Sequence, residues 1–470
     1  MADLETKNSA VATEESGERK VKMRSLALDL VPMGSDEENR MADLKVTKTL
    51  PEGIESKMLY SDIIHIAWPS LVELTLTQLA SMVDLMMVGQ LGPWALTAVG
   101  LTTQPKFLLM TMFMAMNVGA TAMVARYKGA GNQKKADEVL RQALLMTFVL
   151  GCVFALIGFI AAPWLIKFMG ASEDHVLQGG VDYLRIQMIG LPGLALTSTI
   201  TATLRGVGNS KTAMIYNAMA NIINVIFNYM LIYGNFGAPR MEVAGASLAT
   251  IIGQYCAMFM AFYAVMNGQQ YIILRFRDGF KPNKEEIKKI VDIGAPAMVE
   301  QVVMRIGLII YTRTVAGLGT LPYAVHQVCL NIQSLSFMNG QAFAVSATSL
   351  TGQSLGKKRH DMAQAYTTRT RKLGMCVSIF LGVVFFFFGG QIVALYSGGD
   401  QSLVELGAVI MMFVAVVQPF QSSQLILAGA LRGAGDTKVT AAITFITVLL
   451  VRPALAIFAI NVLGMGLEGA

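Results

Sequence analysis

The sequence has 470 residues, of which 54% are hydrophobic and 14% charged, and its 37 Lys and Arg against 31 Asp and Glu leave a net charge of +6. A soluble globular domain carries roughly 25% charged residues, so this composition excludes a water-facing surface over most of the chain and points to one that meets lipid. The excess Lys and Arg lie between apolar runs rather than on a basic face interleaved with aromatics, which argues against nucleic acid as a partner.

Residues 1–60 are hydrophilic and rich in Lys, Arg, Asp, Glu and Ser. They lack the apolar surface to form a core, and a disordered tail is expected there. No basic stretch leading into a short apolar run precedes Ile63, so no cleaved signal is expected and the first span serves as the insertion signal. Apolar runs of spanning length then follow near 63–90, 100–125, 138–166, 180–204, 212–234, 243–266, 289–316, 324–350, 373–396, 403–430 and 438–463. Each is long enough for a helix to cross a bilayer. The basic loops alternate: Arg126, Lys128, Lys134, Lys135, Arg141, Arg205, Lys211, the segments 275–289 and 357–372, Arg432 and Lys438 fall on one side, against little beyond Lys167 and Arg240 on the other. By the positive-inside rule the N-terminus is cytoplasmic, in a multi-pass protein of the cell membrane.

At an offset of about 227 residues the chain matches itself. Leu204-Arg-Gly-Val-Gly-Asn-Ser-Lys-Thr212 aligns with Leu431-Arg-Gly-Ala-Gly-Asp-Thr-Lys-Val439, Pro192 with Pro419, and Pro69-x-x-x-Glu73 with Pro296-x-x-x-Glu300. Several matches in one order indicate duplication. The expected organisation is a tail over 1–60, an N-terminal lobe over 61–267, a cytoplasmic linker over 268–288 and a C-terminal lobe over 289–470. An even number of spans per repeat places the pseudo-two-fold axis along the membrane normal. Met241-Glu-Val-Ala-Gly-Ala246 leads into a sixth span, whereas the matching Met465-Gly-Leu-Glu-Gly-Ala470 closes the sequence; the expectation is an incomplete C-terminus lacking a twelfth helix.

Carboxylates inside spans are costly and therefore functional candidates. Asp84, Glu73 and Glu300 are the clearest. Glu73 and Asp84 stand eleven residues apart, three helical turns, and share a face with Thr77. In the fifth span Asn217, Asn221, Asn224 and Asn228 form a second polar stripe, either lining a cavity or hydrogen-bonding a neighbouring helix. Arg185, Arg305, Arg313 and Arg452 also lie in or near spans and read as counter-charges or interfacial side chains. His326 reads as a hydrogen-bonded interior histidine. The 31 methionines suit a pliable cavity. Cys152, Cys256, Cys329 and Cys376 stand singly, with neither a CxxC pattern nor ligand spacing to a histidine, and read as packed thiols rather than a metal site or disulfide framework. The Leu-Arg-Gly loops lack the GxxxxGK[ST] phosphate cradle, so no nucleotide is expected.

From about residue 62 onward the sequence resembles the multidrug and toxic compound extrusion (MATE) family. The resemblance is carried by Val83-Asp-Leu-Met-Met-Val-Gly-Gln-Leu-Gly92, Ala324-Val-His-Gln-Val-Cys-Leu-Asn331, Leu350-Thr-Gly-Gln-Ser-Leu-Gly356 and the two Leu-Arg-Gly-x-Gly loops. It implies an all-α polytopic fold of two six-helix lobes, the second with five helices present, V-shaped around a central cavity. It also implies a monomeric secondary antiporter, needing no cofactor and catalysing no reaction, that exports organic and often cationic small molecules in exchange for H⁺ or Na⁺. The family's cation-coupling cluster maps onto Asp84, Asn224, Asn228 and Thr250; members often have Asp at the Asn228 position, so this chain is one carboxylate short there. Glu73, Thr77, Asn217, Asn221, Glu300, Tyr311 and Gln421 are candidates for substrate and cavity contacts. Some members pair a glutamate at the Glu300 position with an aspartate where this chain has Gln421.

In the second half, Asp84 aligns with Tyr311, and the four asparagines align with Thr444, Val448, Val451 and Leu455, so coupling is expected in the first lobe. Two other classes stay open. A flippase for lipid-linked saccharides of related architecture needs a cluster of cavity arginines, and a non-transporting scaffold or receptor leaves the intramembrane carboxylates unexplained.

Overall fold

The computed structural model describes residues 25–34, 50–51, 53–171, 173–316, 320–394 and 401–461. The described regular structure is helical. In chain order come α1 (Ser56–Gly89), α2 (Pro93–Gly129), α3 (Gln133–Phe168), α4 (Asp174–Gly206), α5 (Ser210–Tyr233) and α6 (Glu242–Met266). They are followed by α7 (Lys284–Ala316), α8 (Thr320–Gly356), α9 (His360–Ala394) and α10 (Gln401–Ala434). Helix α11 runs in three parts: Thr437–Thr444, a π-helical stretch Phe445–Val451, and Arg452–Asn461. These eleven helices match the expected spans and extend beyond the apolar runs at their polar ends.

Among the described residues nine helices are long and apolar enough to cross a membrane; α4 and α8 are the two that are not. Both are enclosed by neighbours: α4 packs on α2, α3 and α6, and α8 on α1, α2, α9 and α10. Their buried residues accordingly include many polar ones, with Thr197, Thr199, Thr201 and Thr203 in α4 and Ser346, Ser349, Gln353 and Ser354 in α8. A helix shielded from lipid can carry hydroxyls provided that they bond locally or to a neighbour. Thr203 Oγ1 does so by donating to the Thr199 carbonyl at 2.9 Å.

The duplicated Leu-Arg-Gly-x-Gly motif has a physical reading at each position. Its second glycine, Gly208 or Gly435, adopts φ of +80° or +81° and ends α4 or α10. The next residue donates its N–H back to the leucine carbonyl, Asn209 to Leu204 and Asp436 to Leu431, each at 2.9 Å, a glycine-stopped helix end. The same residue caps the following helix: Asn209 Oδ1 accepts from Thr212 N at 3.3 Å, and Asp436 Oδ1 from Val439 N at 3.4 Å. The first glycine admits a neighbour, because a Cβ on Gly206 would stand 2.8 Å from the Thr121 carbonyl oxygen and one on Gly433 2.2 Å from that of Thr348.

The lobes meet at the end of the bundle that carries the basic loops, around a pseudo-two-fold axis between α2 and α8. A Cβ on Gly129 would lie 1.9 Å from the Gln353 oxygen, and one on Gly356 2.0 Å from the Arg126 oxygen. These two contacts are related by the 227-residue offset. So are the approach of Gly119 to the Ile290 oxygen and the hydrogen bond from Ser346 Oγ to the Ile63 oxygen at 3.2 Å. Gln353 Nε2 and Ser349 Oγ both donate to the Gly206 carbonyl, at 3.0 and 2.9 Å, which ties α8 to α4. The basic end is therefore sealed by backbone-to-backbone packing that side chains larger than hydrogen would hold apart.

The expectation of disorder through residue 60 fails over residues 25–34. Leu26, Leu28 and Val31 are buried against Leu59, Ile63 and Tyr366, and Ala27 is buried beside them, with a 3₁₀ turn at Ala27–Leu30. Asp62 accepts from Ala27 N at 2.8 Å and from Tyr366 Oη at 2.9 Å. Lys357 Nζ donates to the Leu28 and Val31 carbonyls at 2.7 and 3.2 Å. Burial lowers the Lys357 pKa below the ordinary lysine value, with Asp29 acting in the opposite direction. An apolar run, Leu26-Ala-Leu-Asp-Leu30, inside a polar tail supplies enough buried surface to dock. The expected end of the chain at Met465–Ala470 lies outside the described residues.

Gly129→Ala is expected to force the basic end apart. A cysteine placed at Ser349, fully buried there, should then react faster with a water-soluble maleimide than it does in the parent background. Gly100→Ala, where an added Cβ meets nothing within 4 Å, should leave that rate at the parent value.

Candidate functional site

Helices α1 and α5 lie side by side in a constant register, with Glu73, Thr77 and Asp84 of α1 each meeting the residue 144 positions further on. Asn217 Nδ2 donates to Glu73 Oε1 at 2.6 Å, Asn221 Nδ2 donates to Thr77 Oγ1 at 3.1 Å, and Asn228 Nδ2 donates to Asp84 Oδ1. A fixed offset over three turns means that the helices run parallel, and it brings the two polar stripes into one seam.

Asp84 is half-buried and receives only neutral donors among the described residues. Besides Asn228, Asn224 faces it; with the amide nitrogen toward the carboxylate, Asn224 donates to both oxygens at 2.9 and 3.1 Å while its oxygen accepts from Thr250 N at 3.2 Å. The four positions Asp84, Asn224, Asn228 and Thr250 thus form one cluster. Thr250 Oγ1 is held by its own helix, donating to the Ala246 oxygen at 2.9 Å.

The cluster opens onto a cavity of about 410 Å³ inside the first lobe, lined by α1, α2, α4, α5 and α6. Thr77, Asp84, Asn217, Asn221, Asn224 and Thr250 lie on its wall together with the apolar Val99, Phe107, Met110 and Leu194. Volume and lining suit a small organic molecule. Lys106, which the sequence reading passed over, is on the same wall. Its Nζ donates to Gln187 Oε1 at 2.8 Å. The run Thr102-Thr-Gln-Pro-Lys106 in the middle of an apolar span is the signal that could have found it.

The remaining candidates lie elsewhere. Glu73 is not on the cavity wall: it is 5% exposed, and its Oε2 stands 2.8 Å from Arg205 Nη2. Glu300 is 3% exposed, with its Oε1 2.5 Å from Arg432 Nη2. The 227-residue offset relates the two pairs. Arg205 and Arg432, expected as loop charges, are last-turn residues of α4 and α10 that reach a buried carboxylate. Both members of each pair repeat at the same offset, which was the available signal for the pairing. Gln421 accepts from Gln333 Nε2 at 3.1 Å inside the second lobe. Tyr311 lies under the Arg452 guanidinium, 4.1 Å from ring centroid to Cζ, and edge-on to His326 at 5.3 Å.

His326 is buried as expected, and its Nε2 has no hydrogen-bond partner among the described residues. Arg185 and Arg305 lie over Phe159 and Phe107 at 5.3 and 4.7 Å, so among the described residues aromatic faces, not carboxylates, receive these cations. Arg313's side chain lies outside what is described. Of the four free cysteines, Cys329 is buried and Cys256 half-buried, whereas Cys152 and Cys376 are exposed on the outer face, where a thiol costs little against lipid.

The family model described as MatE matches residues 69–230 and again 296–458. The chain belongs to the MatE family. The two matches begin 227 residues apart, the offset of the internal repeat. The "Probable multidrug resistance protein NorM" of Thermotoga maritima is 26% identical over 410 residues, covering 87% of each chain. The "Multidrug resistance protein PmpM" of Pseudomonas aeruginosa is 27% identical over 403 residues, covering 84% of this chain and 83% of that one. A crystal structure of MATE in complex with MaL6 is similar with a TM-score of 0.82 at 21% identity, covering 87% of this chain and 91% of that one. The outward-facing conformation of a multidrug resistance MATE family transporter matches with a TM-score of 0.82 at 20% identity, covering 90% and 93%. These likenesses establish the two-lobe fold. This MatE member is a multi-pass membrane transporter and not an enzyme.

Within it, Arg205→Ala leaves Glu73 buried without its counter-charge and is expected to cost about 3–5 kcal/mol of stability. Thermal unfolding in detergent measures this, and adding Glu73→Gln to Arg205→Ala should recover part of the loss.

Proposed function

We propose that the chain exports organic, often cationic, small molecules across the cell membrane in exchange for H⁺ or Na⁺, by alternating access of its two lobes. The single observation that carries this reading is Asp84, a carboxylate on a cavity wall inside the membrane, held by the amides of Asn224 and Asn228 rather than by an arginine. Neutral donors orient a carboxylate without cancelling its charge. A proton, a Na⁺ ion or a cationic substrate can therefore each satisfy Asp84, and only one can do so at a time. Mutual exclusion at one charge is what an antiporter needs.

Asp84, Asn224, Asn228 and Thr250 are the coupling cluster in this scheme, and Thr77, Asn217 and Asn221 extend the cavity wall toward the basic end. Glu73, Glu300, Tyr311 and Gln421 hold their own lobes together. The basic loops face the cytoplasm with the N-terminus, so the sealed basic end corresponds to the outward-facing state. Neutralising Asp84 lowers the cost of enclosing it, which lets the lobes part at the cytoplasmic end and take up the next substrate. One chain carries both lobes, so a monomer in the bilayer suffices, with no cofactor. The flippase alternative finds no support on the cavity wall, where the described lining residues include one lysine and no arginine.

The test is efflux of a fluorescent organic cation from proteoliposomes, with the pH and Na⁺ gradients imposed separately. Asp84→Asn is expected to abolish gradient-driven efflux while the protein still inserts and elutes as the parent does. Full gradient-driven efflux by that variant would refute the scheme.

A further inference from the structure

Lys106 is a charged group that the proposed mechanism does not use. It lies about two-fifths of the way along α2, a 37-residue helix, where an ammonium within a span is costly unless function retains it. Of its three donors, one is taken by Gln187 Oε1 at 2.8 Å. Gln187 is in turn buried and fixed by donating to the Ser247 oxygen at 3.4 Å. No carboxylate stands within ion-pair distance of Lys106 among the described residues, although the Asp84 charge acts on it: the hydrogen bonds to Asp84 come from Asn224 and Asn228, and Glu73 faces Arg205 and Asn217. A second-lobe counterpart is missing, because the equivalent position is Gln333.

The cavity therefore presents two opposite charges that act on each other without forming an ion pair, Asp84 and Lys106, on a wall that also carries hydroxyls and the apolar Val99, Phe107 and Met110. A purely cationic ligand would satisfy one of these and press its charge against the other. A ligand carrying an amine and a carboxylate on an apolar frame satisfies both, and its carboxylate gains a charge-assisted hydrogen bond out of water.

We propose that Lys106 is a specificity-determining residue that holds a carboxylate, and that the first-lobe cavity selects amphipathic zwitterions. The assignment rests on the antiport reading and adds a direction to it. When the coupling ion neutralises Asp84, the fixed charge left in the cavity is the Lys106 ammonium. The amine end of the ligand then loses its partner while the carboxylate keeps Lys106, so ion binding loosens the substrate at one end and favours its release.

A matched pair of dyes tests this: a rhodamine with a free carboxylate and the methyl ester of the same rhodamine, which is cationic only. In proteoliposomes under an imposed gradient, the parent should show the lower KM for the carboxylate dye. Lys106→Gln should raise the ratio of the carboxylate dye's KM to the ester's about tenfold, and Lys106→Arg should hold that ratio near the parent value. Should Lys106→Gln not fold, binding of both dyes to the detergent-solubilised parent decides the matter by the same preference. Equal KM changes for both dyes in Lys106→Gln, or a parent that favours the ester, would overturn the assignment while leaving antiport standing. Export of neither dye under either gradient would overturn the antiport reading, and this inference with it.

Discussion

A carboxylate inside an apolar helical bundle costs several kcal/mol unless something meets its charge, and how each of three carboxylates is met organises this molecule. Glu73 and Glu300 are met by arginines from the ends of α4 and α10. These are closed pairs, buried and committed to joining helices within their own lobes. Asp84 is met by amides, which fix its position and leave its charge in place. A bundle that neutralised all three alike would be stable and inert; the difference in partner separates scaffold from site.

Duplication supplied the scaffold and divergence supplied the site. The ion pairs, the glycine-stopped helix ends, the caps and the α2–α8 crossing all recur at the 227-residue offset. The α1–α5 seam does not. Its second-lobe counterpart has Tyr311 for Asp84, with Arg452 lying over the ring. Its asparagines are replaced by Thr444, Val448, Val451 and Leu455. Helix α11 is π-helical over Phe445–Val451, the stretch corresponding to the middle of the asparagine stripe. This helix lacks the ladder of amide-to-carboxylate bonds that α5 makes, and it departs from the regular α geometry that α5 keeps.

Much of this was legible in the sequence because membrane helices leave few ways to hide a polar side chain. The stripe at 217, 221, 224 and 228 could point only inward, and periodicity put Glu73, Thr77 and Asp84 on one face; that the two faces meet in one seam did not follow from the spacing, and the grouping of Asp84 with Asn224, Asn228 and Thr250 came from the family resemblance. Three things were not legible. The pairing of Glu73 with Arg205 needs the tilt of α4 against α1, which no local pattern encodes, although the repeat of both partners hinted at it. Docking of residues 25–34 depends on a short apolar run finding Tyr366 and Asp62 more than thirty residues away, and composition averaged over the tail hid it. Lys106 was marked only by the polar run Thr102–Lys106 inside an apolar span, and that α2 carries it onto the wall of the Asp84 cavity needs the packing.

The central claim is that Asp84 is the one exchangeable charge of the first lobe. Proton release by the purified transporter, followed with a pH dye in weak buffer as a zwitterionic or cationic substrate or Na⁺ is added, measures that directly. The account predicts release of close to one proton per transporter when the ligand is added at a pH where Asp84 is protonated, and none from the Asp84→Asn protein. Undiminished release from that protein would place the exchangeable charge elsewhere and contradict the account.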